Sequence, residues 1–135
     1  MNATKSRIIQ YVRDTYGCEL EYLWAKTPQN AVFRHPISRK WFAALLTLPR
    51  NKLGLPGEEP VDILNIKCAP LLGSSLRCNP GFFPAYHMNK ENWVTVLLDD
   101  TVSMAEVCQL LDMGFDLISK KPKGKERSPD EMARS

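Results

Sequence analysis

Apolar and polar positions change period several times along this chain, and each change marks an element. Over residues 4–16, Ile8, Val12 and Tyr16 recur every four residues with Ile9 beside them, while Lys5, Arg7, Arg13 and Asp14 fall off that stripe. Such spacing predicts an amphipathic helix, because it gathers the apolar side chains on one face. Gly17 is its natural stop. Residues 19–24 read as a short extended piece leading into the turn Thr27-Pro28-Gln29-Asn30.

The period then drops to two. Residues 31–35 and 40–48 read as strands, and the short link between them makes a hairpin. In the second strand Trp41, Ala43, Leu45 and Thr47 alternate with Phe42, Ala44, Leu46 and Leu48, so both faces are apolar and the strand should be central. Residues 49–60 form a loop of Gly, Pro and charges. Residues 61–67 are a third strand, and 69–77 a short helix weakened by Gly73. Asn79-Pro80-Gly81 turns the chain, and 92–98 are a fourth strand. Ser103-Met104-Ala105-Glu106 has the form of a capping box at the start of a helix over 103–119, whose apolar positions are Met104, Val107, Cys108, Leu111, Phe115 and Ile118. The expected fold class is α+β: a mainly antiparallel sheet with the N- and C-terminal helices packed on one face.

Size and composition narrow this further. A chain of 135 residues suits one domain, over 1–121, followed by a basic tail over 122–135 with almost nothing to bury and so expected to be disordered. No signal peptide begins the chain and no apolar run reaches membrane-spanning length, which points to a cytoplasmic, monomeric protein. Cys18, Cys68, Cys78 and Cys108 match no zinc or redox spacing and are expected to be buried free thiols. Charge adds the most. Residues 26–57 hold six basic side chains (Lys26, Arg34, Arg39, Lys40, Arg50 and Lys52) and no acid, whereas 91–119 hold six acids and no Lys or Arg. A polarised surface is expected.

Two groups of residues are candidates for chemistry. The first is the loop Tyr86-His87-Met88-Asn89-Lys90. Asn89 is placed to cap a turn, leaving His87 and Lys90 free for a ligand or phosphate, with Lys67 as a further contributor; the alternative is a structural loop with His87 hydrogen-bonded internally. The second is the pair of basic turns. Arg34, Arg39 and Lys40 lie at one, Arg50 and Lys52 at the next, and two projecting wings would track phosphates as Lys and Arg displace counterions. His35 and His87 with Asp62 or Glu58 have no metal-ligand spacing, no serine sits in a nucleophile elbow, and no cofactor is implied.

The string Pro80-Gly81-Phe82-Phe83-Pro84-Ala85-Tyr86-His87-Met88-Asn89-Lys90 with Trp93 after it, preceded by Lys67-Cys68-Ala69-Pro70, resembles the MmcQ/YjbR family. Arg34-His35-Pro36 through Arg39-Lys40-Trp41-Phe42-Ala43 fits the same family's first hairpin, and residues 61–67 its next strand. The likeness spans residues 4–121. It implies a CyaY-like fold and a double-wing DNA-binding protein. The chain departs from the family pattern at Ala69, often an acid, and at Gly114-Phe115, often Ser-Tyr. Frataxin-like relatives of the fold bind iron through an acidic first helix; Lys5, Arg7 and Arg13 here mean that metal delivery does not carry over. The leading expectation is a non-enzymatic DNA-binding protein whose phosphate contacts are Arg34, Arg39, Lys40, Arg50, Lys52 and Lys90. The alternative is a protein-interaction or small-ligand module built on Lys67, Tyr86, His87, Asn89 and Lys90.

Overall fold

In a computed structural model that describes residues 4–27 and 30–119, Thr4 opens the first helix, α1 (Lys5–Tyr16). Its hydroxyl accepts the Arg7 amide at 3.3 Å, and Gly17 closes the helix in the left-handed region at φ 70°. The chain continues through β1 (Leu20–Glu21), β2 (Ala31–Arg34), β3 (Trp41–Pro49), a 3-10 turn (Arg50–Leu53), β4 (Pro60–Lys67), α2 (Pro70–Leu76), β5 (Phe82–Pro84), β6 (Trp93–Leu97) and α3 (Met104–Leu117). Six strands form one sheet in the order β1-β2-β3-β4-β6-β5, with every neighbouring pair antiparallel. The α+β reading holds, and β3 is central as its two apolar faces require. The sheet has two strands beyond the four expected, because Leu20–Glu21 and Phe82–Pro84 are too short to carry a period of their own. The expected disordered tail over 122–135 lies outside the described residues.

One face of the sheet carries α1 and α3. Ile8 and Val12 from α1 and Val107 and Leu111 from α3 are fully buried against Phe33, Leu45, Leu64, Ile66, Val94 and Val96. Ser103 caps α3, accepting the Glu106 amide at 3.2 Å. Where α1 meets α3, Tyr16 stacks on Phe115 at 4.2 Å and meets Phe42 edge-on. The Tyr11 hydroxyl donates to Asp112 at 2.7 Å, and the Tyr16 hydroxyl donates to the same carboxylate. Burial, followed by that carboxylate, raises the Tyr16 phenol far above its ordinary value. His35 stacks on Phe115 at 4.4 Å. Its Nδ1 accepts the amides of Ile37 and Ser38 at 3.0 and 3.1 Å, and its Nε2 meets Ser119 Oγ at 3.0 Å. This histidine therefore folds the first basic turn.

Phe42 corrects the expected alternation in β3. Phe33 pairs with Ala43 but Arg34 pairs with Trp41, so Phe42 is the extra residue of a β-bulge. The bulge exchanges two side chains between the faces. Phe42 joins the helix-side core with Ala43 and Leu45, and Trp41 turns to the side of Leu46 and Leu48. Among the cysteines, Cys18 and Cys68 are buried as expected, Cys108 is half-buried, and Cys78 is exposed at the end of α2. Burial raises the thiols of Cys18, Cys68 and Cys108.

Gly114 and Ala69 each have a local physical meaning. Gly114 lies where α3 crosses β4, and a Cβ there would sit 2.7 Å from the Lys67 carbonyl oxygen. Backbone cannot yield as a side-chain tip can. Gly114→Ala should therefore destabilise the protein by about 1–3 kcal/mol in urea unfolding, the overpacking outweighing ~1 kcal/mol of helix propensity gained. Ala69 is the N-cap of α2 in extended conformation and has no side chain to accept a free amide. Ala69→Asp should stabilise by about 1 kcal/mol, read as a higher Tm.

Candidate functional site

The sheet face away from the helices is covered by loops. Leu46, Leu48, Ile63 and Leu97 form its apolar floor, with Trp24, Leu53, Leu55, Phe83 and Tyr86 laid over them. Asn65 and Thr95 point to the same side and are fully buried. Amide and hydroxyl groups in such a place need partners. They find them in each other, Thr95 Oγ1 donating to Asn65 Oδ1, and in the chain above. Asn65 Nδ2 donates to the Tyr86 carbonyl at 3.0 Å, and the Tyr86 amide donates to Thr95 Oγ1 at 2.9 Å. Tyr86 is thereby fastened to the middle of the sheet.

The rest of the loop is arranged around this anchor. His87 has φ 60°, an uncommon conformation for a residue with a Cβ, and its exposed ring meets Tyr86 edge-on at 4.0 Å. Asn89 accepts the Glu91 amide at 2.7 Å, so it caps the turn as expected and shapes the loop. Lys90 Nζ donates to the Ala85 carbonyl at 3.2 Å.

Between this loop and the segment carrying Trp24 lies a groove of about 550 Å³. Leu46 and Leu48 form its base. Trp24 and Trp41, edge-on to each other at 6.1 Å, line it together with Tyr86, His87 and Met88. Asn30 stands on its rim and accepts the Thr47 amide at 2.9 Å. A second hollow of about 240 Å³ shares Tyr86 and His87 with the groove and is bordered by Lys52, Leu53, Phe83 and Lys90. Among the described residues, no carboxylate lines either space.

The two basic turns do not form one cradle. They sit at opposite ends of β3, and its nine residues separate them by about 26 Å. Arg34 at the first turn is held by Glu21 of β1, through Nε at 3.1 Å and Nη2 at 3.0 Å, and Arg39 Nη2 lies 3.8 Å from the same carboxylate. The Arg34 bond and charge hold the Glu21 carboxyl below its usual value. Lys40 stays at that end, where its carbonyl closes the turn by accepting the His35 amide at 2.8 Å. At the other turn the Arg50 amide donates to the Glu59 carbonyl at 2.9 Å, which brings two acids, Glu58 and Glu59, back beside the second wing. Lys52 instead borders the second hollow, which His87 and Lys90 also line. Lys67 lines neither space; its Nζ lies 5.4 Å from the Trp93 ring.

Of the residues singled out in the sequence, Tyr86, His87, Lys90 and Lys52 come together; Arg34, Arg39, Lys40, Arg50, Lys67 and Asn89 do not line the shared space. Sequence reasoning passed over Trp24 and Trp41. An isolated tryptophan in a strand reads as core, and the bulge that turns Trp41 into the groove depends on pairing with a distant segment.

Comparison with known proteins agrees with this architecture. A Pseudomonas syringae protein solved by crystallography is 40% identical, with a TM-score of 0.83 over 86% of this chain and 99% of that one. A solution structure of a protein from the same organism is 38% identical, with a TM-score of 0.80 over 89% of this chain and 96% of that one. A Deinococcus radiodurans protein with a DUF419 domain, 22% identical at a TM-score of 0.67, covers 97% of this chain and 86% of its own and shares the fold. YyaQ of Bacillus subtilis, an uncharacterized protein, is 36% identical over 114 residues, 84% of this chain and 97% of its own. The sequence profile of the YjbR family matches residues 13–117. The chain belongs to the YjbR family.

Proposed function

We propose that this protein is a non-enzymatic binding module for a small flat molecule held in the groove between Trp24, Trp41 and the Tyr86–His87 pair. The observation that carries the reading is the groove itself: two tryptophans and a Tyr–His pair line one space over an apolar floor. Ring faces and edges at these positions favour a planar guest, which stacks or meets them edge-on. The volume, about 550 Å³, is in the range of small-molecule sites. Burying about 200 Å² of apolar ligand surface contributes roughly 5 kcal/mol before the costs of association are subtracted. The anchored Tyr86 backbone keeps the wall in place without a ligand, so little ordering is needed on binding.

The duplex-DNA reading requires several cations on one surface. Arg34 and Arg39 are engaged by Glu21, and the second turn is a strand's length away. The tryptophan side chains give a direct test. In a nitrogen-15 correlation spectrum, titration with flat aromatic fragments should move the indole N–H signals of Trp24 and Trp41. The signal of Trp93, which lines neither hollow, should stay still. Trp41→Ala should weaken fragment binding at least tenfold. If no fragment moves those two signals at millimolar concentration, or if a short DNA duplex at low salt moves the amides of Arg34, Arg39, Lys40, Arg50 and Lys52 together, the groove reading is wrong.

A further inference from the structure

We infer that the ligand is an aromatic anion: a flat ring carrying a carboxylate or a phosphate, with its ring against Trp24 and Trp41 and its charge directed to Lys52 and Lys90. This deepens the groove reading and rests on it. The second hollow shares the Tyr86–His87 wall with the groove, and it is lined by two lysines from separate loops. Lys52 belongs to the 3-10 turn after β3, and Lys90 to the loop before β6. Nothing local in the sequence requires these two to be neighbours.

Charge complementarity sets the sign of the guest. No carboxylate lines the groove or the hollow among the described residues, and Lys52 has no ion pair among them. Lys90 is kept near the hollow by its bond to the Ala85 carbonyl, which leaves two of its three N–H groups to donate elsewhere. Leu53 and Phe83 line the hollow beside the two exposed lysines. The exposed His87 ring adds a nitrogen to the wall between the two spaces. An ammonium is a point charge, so this arrangement accepts carboxylate and phosphate oxygens alike. Two π-walls and two cations separated by one shared wall describe a molecule with a flat end and an acidic end.

The test is a matched series on the full chain: 2-naphthamide, 2-naphthoate and 2-naphthyl phosphate, titrated at low salt and followed by the Trp24 and Trp41 indole signals. At least one of the two anions should bind about tenfold or more tighter than the neutral amide, and its identity assigns the acidic group. In the double variant Lys52→Gln with Lys90→Gln, that advantage should fall below twofold while the affinity for 2-naphthamide stays unchanged. Equal affinities across the series in the native protein, or an anion advantage that survives in the double variant, would overturn the inference and leave the groove reading intact. If no member of the series moves the indole signals, the groove reading itself fails and the inference with it.

Discussion

The arrangement of the loop-covered sheet face depends on three hydrogen bonds buried beneath it. Asn65 and Thr95 are neighbours across β4 and β6, and neither is solvated. Left without partners, such groups would each cost about 1–3 kcal/mol. The sequence supplies a main-chain donor and acceptor on one residue, Tyr86, that satisfy both. The polar pair thus selects one position for the loop above it. An apolar pair in its place would bury the same area and leave the loop free to slide. The Tyr86–His87 wall, the separation of the two hollows and the approach of Lys90 all follow from that placement.

The helices were legible because their signals are local. Thr4, Gly17 and Ser103 act as caps within a few residues of where they stand, and the four-residue apolar spacing of α1 and α3 maps directly onto the buried stripe. The central strands were legible for the same reason. The 31–48 hairpin was legible too, its link being short, but pairing beyond it and its exact register could not be read. The two edge strands are too short to show alternation, and the bulge at Phe42 exists only in relation to Phe33 and Arg34. The groove was the least legible feature, since its lining comes from the segment after β1, from β3 and from the loop after β5. Its polar parts are nonetheless visible separately in the sequence, Lys52 in the second basic turn and Tyr86, His87 and Lys90 in one loop.

The charge asymmetry resolves in a way that counting along the chain does not suggest. The acid-free stretch from 26 to 57 is divided by β3, and its arginines near β2 are met by Glu21, a residue that precedes the stretch. The acids of the last helix are likewise not an open field: Asp112 is occupied by two tyrosine hydroxyls from α1 and so contributes to helix packing. Linear blocks of one charge become surface fields only when the fold leaves them unpaired, and here part of each block is used to hold elements together.

The sheet's borders have a consequence of their own. Its outermost strands are two and three residues long, and one of them ends in a proline. A proline has no amide to offer, and so short a ladder gives an incoming chain almost no register to extend. The protein can therefore carry four largely buried inner strands and still present few hydrogen-bonding sites through which one sheet could be continued into another.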